Sequence, residues 1–195
     1  VGRTGVLTPV AVLKPVEIGG AMISHATLHN FDEIKRLGVK IGDTVIVGRA
    51  GDVIPDIIKA LKHLRTGREK EIKVPNNCPF CGSKVRRIPG EVAFKCSDKS
   101  CGAIQRERIY HFVSKNAFDI IGVGLKIVDR FLDEGLIKDA ADLFFLKEVD
   151  IQHLERFAEK STSNIINSIQ SRGEIKLERF LYALGIPQVG EETAF

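Results

Sequence analysis

The feature that most constrains this chain is a group of four cysteines that lie close together in the sequence. They form two pairs, Cys78-Pro79-Phe80-Cys81 and Cys96-Ser97-Asp98-Lys99-Ser100-Cys101, with fourteen residues between the pairs. Zinc prefers four thiolates at tetrahedral corners, and two tight turns that each deliver two thiolates supply this arrangement. The spacing therefore predicts one structural Zn²⁺ per chain, bound by Cys78, Cys81, Cys96 and Cys101.

Two other uses of paired cysteines fit this sequence less well. A disulfide framework needs an oxidising compartment, which nothing in the sequence indicates, and a redox Cys-x-x-Cys pair leaves the second pair unexplained. Four thiolates leave no coordination position for water, so we expect the zinc to be structural rather than catalytic.

Positive charge is concentrated around and before the cysteines. Residues 76–115 carry 8 basic and 3 acidic side chains, residues 1–75 carry 12 and 8, and residues 116–195 carry 9 and 14. We expect the metal to hold Val85, Arg86 and Arg87 beside Val92 to Lys95 as a basic ribbon near DNA.

Residues 1–75 are predicted to be rich in β-structure. Strands are expected at Val6 to Leu13, Thr44 to Val47 and Val53 to Ile58, the last two after Gly-Asp turns. Phe31, Ile34 and Leu37 fall at helical spacing before Gly38, which indicates one short helix. Several short strands with one helix favour a small barrel, of which the five-stranded OB-fold is one type.

The rest of the chain is predicted to be a connector and then helices. Residues 65–75 are charged and end at a proline, which is typical of a connector, and strand signals disappear after about Gln105. Leu125, Val128 and Leu132 form one helical face that ends near Gly135. The predicted fold class is multidomain: a small β-barrel over 1–75, a four-cysteine zinc ribbon over 76–104 and an all-α helix-hairpin-helix array over 105–195.

The helix-hairpin-helix prediction starts from the segment Ile121-Gly122-Val123-Gly124. Glycines before a helix allow the backbone to approach a phosphate, which the first helical amides and the helix dipole then attract. Lys126 adds a positive charge, so Gly122, Gly124 and Lys126 are candidate DNA contacts. A tight turn without a ligand explains the same glycines equally simply.

Two later segments repeat the arrangement at intervals of roughly thirty residues. They are residues 154–161, with Arg156 and Lys160 as candidate contacts, and residues 184–190, which end at Gly190. An acidic region can bind DNA when backbone amides make the phosphate contacts. An α-helical interaction domain remains the alternative for this region.

The termini and hydropathy give further expectations. No run of eighteen apolar residues occurs and no signal-peptide pattern opens the chain, so we expect a cytoplasmic protein with no membrane partner. The sequence begins at Val1 without methionine and stops just after a predicted helix start, so we expect it to be a segment of a longer protein.

Taken in order, these modules resemble the bacterial NAD-dependent DNA ligases. The motifs that carry the resemblance are Val1-Gly2-Arg3-Thr4-Gly5, Leu7-Thr8-Pro9-Val10-Ala11, Ala26-Thr27-Leu28-His29-Asn30 and Arg49-Ala50-Gly51-Asp52-Val53-Ile54-Pro55. The resemblance implies that Arg3 and Thr4 contact DNA near the nick and that a second DNA-binding loop consists of Arg49, Gly51, Asp52, Val53 and Ile54.

The resemblance also implies a division of labour. In that family a lysine of a separate adenylation domain attacks NAD and passes AMP to the 5′-phosphate of the nick. The Lys-x-Asp-Gly motif of that lysine does not occur here, so no catalytic residue is assigned. We expect this chain to be a monomeric portion that grips and encircles nicked duplex DNA. NAD and Mg²⁺ are expected to bind mainly outside it. Without the adenylation domain it is expected to be inactive.

The second hairpin departs from the family pattern. Arg156 and Ala158 stand where glycines are common, so this hairpin either contacts DNA through Arg156 or serves only for packing. Another class of protein remains open as well, a zinc-ribbon and helix-hairpin-helix protein of repair or recombination that binds DNA without sealing it. The motif from Arg49 to Pro55 argues against that class.

Overall fold

A computed structural model describes residues 1–50, 54–155, 157 and 159–195, without the side chains of Arg49, Ala50 and Glu159. The chain divides into two compact units, Val1–Lys99 and Ser100–Phe195. Within the described residues, no helix combines the length and the apolar character needed to cross a membrane.

The first unit contains the predicted β-rich domain. Its elements are strand β1 (Val10–Ile18), β2 (Ala21–Thr27), helix α1 (Phe31–Leu37), β3 (Lys40–Ile41), β4 (Val45–Ala50), β5 (Ile54–Ala60) and β6 (Lys70–Glu71). In the part of the chain that the structure describes, four strands form a sheet of order β1-β2-β5-β4, and β3 pairs separately with β6. The sheet is antiparallel except between β2 and β5.

Two strand predictions in this domain need correction. The first strand begins at Val10 rather than Val6, because Val6 instead forms an antiparallel bridge with Lys95. Strand β2 was not predicted at all. It follows Gly19 and Gly20, whose φ angles of 58° and 76° suit the two-residue turn that joins antiparallel strands.

Helix α1 confirms the predicted helix and its end. The Asn30 side chain accepts a hydrogen bond from the Glu33 amide at the start, and Gly38 closes the helix in the left-handed conformation with φ of 62°. Ile34 is buried and joins a small core with Ala26, Leu28, Val39, Ile57 and Ala60.

The predicted connector over residues 65–75 is partly built into the β-domain. Arg65 donates two hydrogen bonds of 2.7 Å to the Asp43 carboxylate and one of 2.6 Å to the Gly38 carbonyl. The Asp43 side chain is fully buried, and it also accepts from the Lys40 amide. Hydrogen bonds from Arg65 hold the pKa of Asp43 below its ordinary value.

We expect replacement of Asp43 by alanine to lower the free energy of unfolding of this domain by about 3 kcal/mol at pH 7, since Arg65 loses its buried partner. The pKa of Asp43 is depressed on folding, so its contribution is present above the ordinary carboxyl pKa of about 3.9 and is lost as pH falls through the lower folded-state pKa. Urea unfolding at neutral and acidic pH measures both effects. Glu17→Ala, which removes an exposed carboxylate, is the matched control.

A two-stranded ribbon completes the first unit. Strand β7 (Val85–Arg87) pairs antiparallel with β8 (Phe94–Cys96), so Arg86 lies opposite Lys95 and Arg87 opposite Phe94. This confirms the predicted ribbon, although Val92 lies before β8. Arg87 also donates a 2.6 Å hydrogen bond to Asp32 on α1, so part of the ribbon's positive charge is neutralised within the unit.

The second unit is helical, as expected. Its helices are α2 (Gly102–Val113), α3 (Leu125–Asp133), α4 (Glu148–Ile151), α5 (Glu159–Gln170), α6 (Leu177–Ala183) and α7 (Glu191–Ala194). They surround a core that includes Ile109, Val128, Phe131, Leu143 and Ile169, each no more than 1% exposed.

The predicted face of α3 is only partly right. Val128 is buried, but Leu125 is 57% exposed and Phe131 takes the second core position. The helix is fixed from its other side by Arg106 of α2, which pairs with both Asp129 and Asp133. Burial of Val128 and Phe131 sets the orientation of α3, and these partly exposed ion pairs are compatible with it.

Candidate metal centre and nucleic-acid interface

Two knuckles and one helix start position the four cysteines. In the first knuckle, the Gly82 amide donates to the Cys78 carbonyl at 3.0 Å, and Gly82 has a φ of 73° that favours glycine. Cys96 ends β8, and Cys101 caps the start of α2, so Gly102 opens a helix rather than a knuckle turn.

The four sulfur atoms lie within 4.8 Å of one another. Zinc–sulfur bonds of about 2.3 Å at tetrahedral angles place sulfur atoms roughly 3.8 Å apart. Cys81 Sγ and Cys96 Sγ are 3.5 Å apart, far beyond a disulfide bond of about 2.05 Å. The donor set therefore fits a closed, structural zinc centre, as predicted.

Burial of the cysteines makes metal binding depend on pH. Cys78, Cys96 and Cys101 are at most 9% exposed, whereas Cys81 is the most accessible of the four. Burial raises the pKa of the Cys96 thiol to about 12. Without a metal this thiol stays protonated, so zinc binding must displace a proton and is strengthened as pH rises.

Arg3 and Thr4 lie in a tight turn. The Gly2 amide donates to the Val6 carbonyl at 2.9 Å, and the Gly5 amide donates to the Gly2 carbonyl at 2.8 Å. Thr4 is exposed, whereas the Nη1 atom of Arg3 is buried and has no hydrogen-bond partner in the structure. Because this atom is inaccessible, a phosphate would have to be bound by the other nitrogens of the half-buried guanidinium group.

The second candidate loop is only partly within the described residues. Strands β4 and β5 pair up to Ala50 and Ile54, and Ile54 is 59% exposed. Arg49 lies opposite Pro55 in this ladder. The predictions for Gly51, Asp52 and Val53 lie outside the described residues, as does that for the Arg49 side chain.

The first hairpin has the conformation that its glycines allow. Gly122 has a φ of 86°, and Gly124 caps α3 in an extended conformation. A Cβ atom placed on Gly124 would meet nothing within 4 Å. Lys126 is exposed in the first turn of α3. The start of α3 therefore combines an unobstructed glycine with an exposed lysine.

The same backbone pattern recurs in the third hairpin. The Val123 amide donates to the Ile120 carbonyl, and the Val189 amide donates to the Ile186 carbonyl, both at 3.1 Å. Gly190 caps α7 with φ and ψ of −84° and −178°, close to the −86° and 179° of Gly124. Two residues before each cap the φ angle is positive, at Gly122 and at Gln188.

The second hairpin shares one element of this pattern. The Phe157 amide donates to the Leu154 carbonyl at 3.1 Å, so the corresponding turns begin at residues 120, 154 and 186. Lys160 is exposed and lines, with Gly122, a groove of about 1020 Å³. The predictions for Arg156 and Ala158 fall outside the described residues.

Sequence reasoning missed the arginines that brace the first hairpin. Arg172 donates to the Asp119 carboxylate at 2.9 Å and to its carbonyl at 3.1 Å, and Asp119 has a φ of 53°. Arg179 donates to the carbonyls of Ala117 and Lys115. Their partners lie more than fifty residues away, so no local signal identifies them. Both guanidinium groups therefore form hydrogen bonds within the protein.

Comparison with known proteins identifies the domains. The structure defines a small β-domain joined to a four-cysteine ribbon, and each of the two matches a domain model. Residues 1–69 match the OB-fold domain of NAD-dependent DNA ligase, and residues 77–103 match the C4 zinc finger domain of the same enzyme. The first 103 residues therefore contain an OB-fold domain and a C4 zinc finger domain similar to those of NAD-dependent DNA ligase.

Whole-chain relatives agree with the domain matches. A DNA ligase of Geotalea uraniireducens is 50% identical over 100% of this chain and 29% of its own length. A DNA ligase of Thermodesulfovibrio yellowstonii is 53% identical over 98% of this chain and 28% of its own length. One of Syntrophus aciditrophicus is 49% identical over 100% of this chain. The chain spans less than a third of the length of these relatives.

Proposed function

We propose that this chain is the DNA-gripping portion of an NAD-dependent DNA ligase and that it encircles nicked duplex DNA while phosphodiester bond formation takes place. The observation that carries the proposal is about 50% identity with DNA ligases over the whole chain. The chemistry of NAD and Mg²⁺ belongs to an adenylation domain, because the sequence has no Lys-x-Asp-Gly motif.

The proposed organisation has an OB-fold domain over residues 1–75, a zinc finger over 76–104 and a helix-hairpin-helix domain over 105–195. The recurring turns at residues 120, 154 and 186 support the hairpin array. The repeat also explains why the glycines precede helices, because backbone amides at those positions can donate hydrogen bonds to phosphate oxygens.

The proposed DNA contacts fall into two groups. The OB-fold group lies at Arg3, Thr4 and the loop from Arg49 to Ile54, where an arginine binds phosphate and the exposed apolar Ile54 presses on the minor groove. The helical group uses backbone amides with nearby lysines: Gly122, Gly124, Lys126, Arg156, Lys160 and Gly190.

The net negative charge of the helical region is compatible with DNA binding through backbone amides. Arg130, Arg172 and Arg179 are paired with Glu134, Asp119 and backbone carbonyls, so part of the positive charge of this region is engaged within the protein. Peptide amides carry no net charge, so this grip releases fewer counterions than a basic surface. The protein is proposed to act as a monomer in the bacterial cytoplasm.

Titration of nicked duplex DNA at two salt concentrations tests the proposal. We expect binding that weakens as salt rises, because Arg3 and the exposed lysines displace counterions from the phosphates. A separately produced adenylation domain should restore nick sealing when it is added to this chain. Absence of binding at low salt, together with no restored sealing, would refute the proposed function, and an intact duplex is the control substrate.

A further inference from the structure

The segment that precedes β1 pairs with the zinc ribbon. The Leu7 amide donates to the Phe94 carbonyl at 2.8 Å, and the Cys96 amide donates to the Gly5 carbonyl at 3.0 Å. Val6 forms the antiparallel bridge with Lys95 between these two bonds. The segment is thus a third strand beside β8, and one of its hydrogen bonds comes from a zinc-binding residue.

This pairing links the Arg3–Thr4 turn to β8 and to the zinc ligand Cys96 through backbone hydrogen bonds, although the two segments are far apart in sequence. Gly5 closes the turn with φ of 83° and is itself held by Cys96. Leu7, on the other side of the bridge, is 7% exposed, so the segment is anchored at both ends. The position of Arg3 is therefore fixed by the position of β8.

The ribbon has little stability of its own. Strands β7 and β8 have three residues each, and an isolated two-stranded hairpin is marginally stable at best in water. The four thiolates on zinc hold its ends together, as in other small metal domains. Without the metal, β8 offers no ordered edge on which Gly5 and Leu7 can pair.

A second set of contacts orients the ribbon on the β-domain. Arg87 of β7 donates to Asp32 of α1 at 2.6 Å, and it also lies over the Phe94 ring at 5.6 Å. The Phe94 ring packs edge-on against Phe31 with centroids 5.5 Å apart. These contacts fix the orientation of the ribbon on the β-domain once the metal has ordered its strands.

We propose that the zinc-bound ribbon is the positioning element for Arg3, so that the metal and this arginine contribute to DNA affinity as one unit. Arg3 is half-buried, and the turn that carries it keeps its place through the pairing of Gly5 and Leu7 with β8. The inference rests on the proposed function, since DNA is the anion that Arg3 binds. Arg3 is the contacting residue, and Cys96 acts through its backbone.

A double-mutant cycle between the metal and Arg3 tests the proposal. In the zinc-bound chain, we expect Arg3→Ala to weaken binding of nicked duplex DNA about tenfold or more, as loss of a charged hydrogen bond does. In the zinc-free chain the same substitution should change the affinity less than about twofold, and zinc added back should restore the larger effect. Arg68→Ala, at an exposed arginine of the same unit, is the matched control.

An equal effect of Arg3→Ala with and without zinc overturns the inference. If neither form binds nicked DNA at all, the proposed function fails instead, and the two failures are thereby distinguished. Circular dichroism of the zinc-free chain checks that the β-domain remains folded, since its core does not include the cysteines.

A pair of variants that keep zinc gives an independent test. Leu7→Pro and Leu7→Ala both shorten the buried side chain, but only proline removes the amide that donates to Phe94. We expect one zinc in both variants, and fast hydrogen exchange over residues 2–6 only in the proline variant. Arg3→Ala should then have little effect on affinity in the Leu7→Pro background. Slow exchange in that background would contradict the proposed pairing.

Discussion

Replacement of a single zinc ligand unfolds the cysteine module while the core of the β-domain stays folded. The suitable variant is Cys81→Ser, because Cys81 is the most accessible ligand and its replacement disturbs packing least. Metal binding supplies about 10–16 kcal/mol in small zinc-binding peptides, far more than two three-residue strands supply by packing. The ribbon therefore depends on the metal for its fold.

Metal analysis and hydrogen exchange measure this effect. We expect well below one zinc per chain in Cys81→Ser and loss of exchange protection over residues 77–101, with protection retained in β2 and β5. Ser97→Ala, at an exposed serine between the second pair of cysteines, should keep its zinc. A module that remains protected without metal would show that packing alone holds the ribbon, and less than one zinc in the unmodified chain would refute the assignment.

Gly124→Asp separates the stability of the first hairpin from its affinity for DNA. Gly124 caps α3 in a conformation open to any residue, and a side chain there meets nothing within 4 Å. Aspartate is a good helix cap and interacts favourably with the helix dipole, so we expect stability to be unchanged or raised by up to about 1 kcal/mol. The same carboxylate repels a phosphate, so nicked-duplex affinity should fall at least about tenfold.

Gly124→Asn is the control for that substitution. Asparagine caps the helix about as well as aspartate but carries no charge, so it should keep much more of the DNA affinity. Thermal unfolding and a binding titration on the same three proteins give both quantities. If the aspartate variant binds DNA as well as the unmodified chain does, the hairpin glycines serve only as turn residues.

Local signals in the sequence predicted much of the fold. The cysteine spacing predicted the metal cluster, and the spacing of Phe31, Ile34 and Leu37 before Gly38 predicted α1 to its last residue. These features depend on interactions between residues close in sequence. The resemblance to NAD-dependent DNA ligases, which rested on the order of several motifs, was also confirmed.

Features that depend on distant residues were missed. Arg65 was interpreted as part of a connector because its partner, Asp43, is twenty-two residues away. Leu125 was assigned to the core face of α3, whereas it is 57% exposed and Phe131 is buried against residues from distant parts of the helical unit. The Gly19-Gly20 turn is a local signal from which strand β2 could have been predicted.

The recurring hairpin backbone has a consequence for how this region tolerates mutation. Every residue except proline has an amide, so a grip made of amides depends on the path of the main chain and hardly on the identity of the side chains. The third hairpin illustrates this, because Gln188 occupies the left-handed position that Gly122 occupies in the first. Under the proposed grip, residues in these loops could therefore change wherever the turn is kept and no side chain blocks or repels the phosphate, and a duplex would be held in the same way whatever its base sequence.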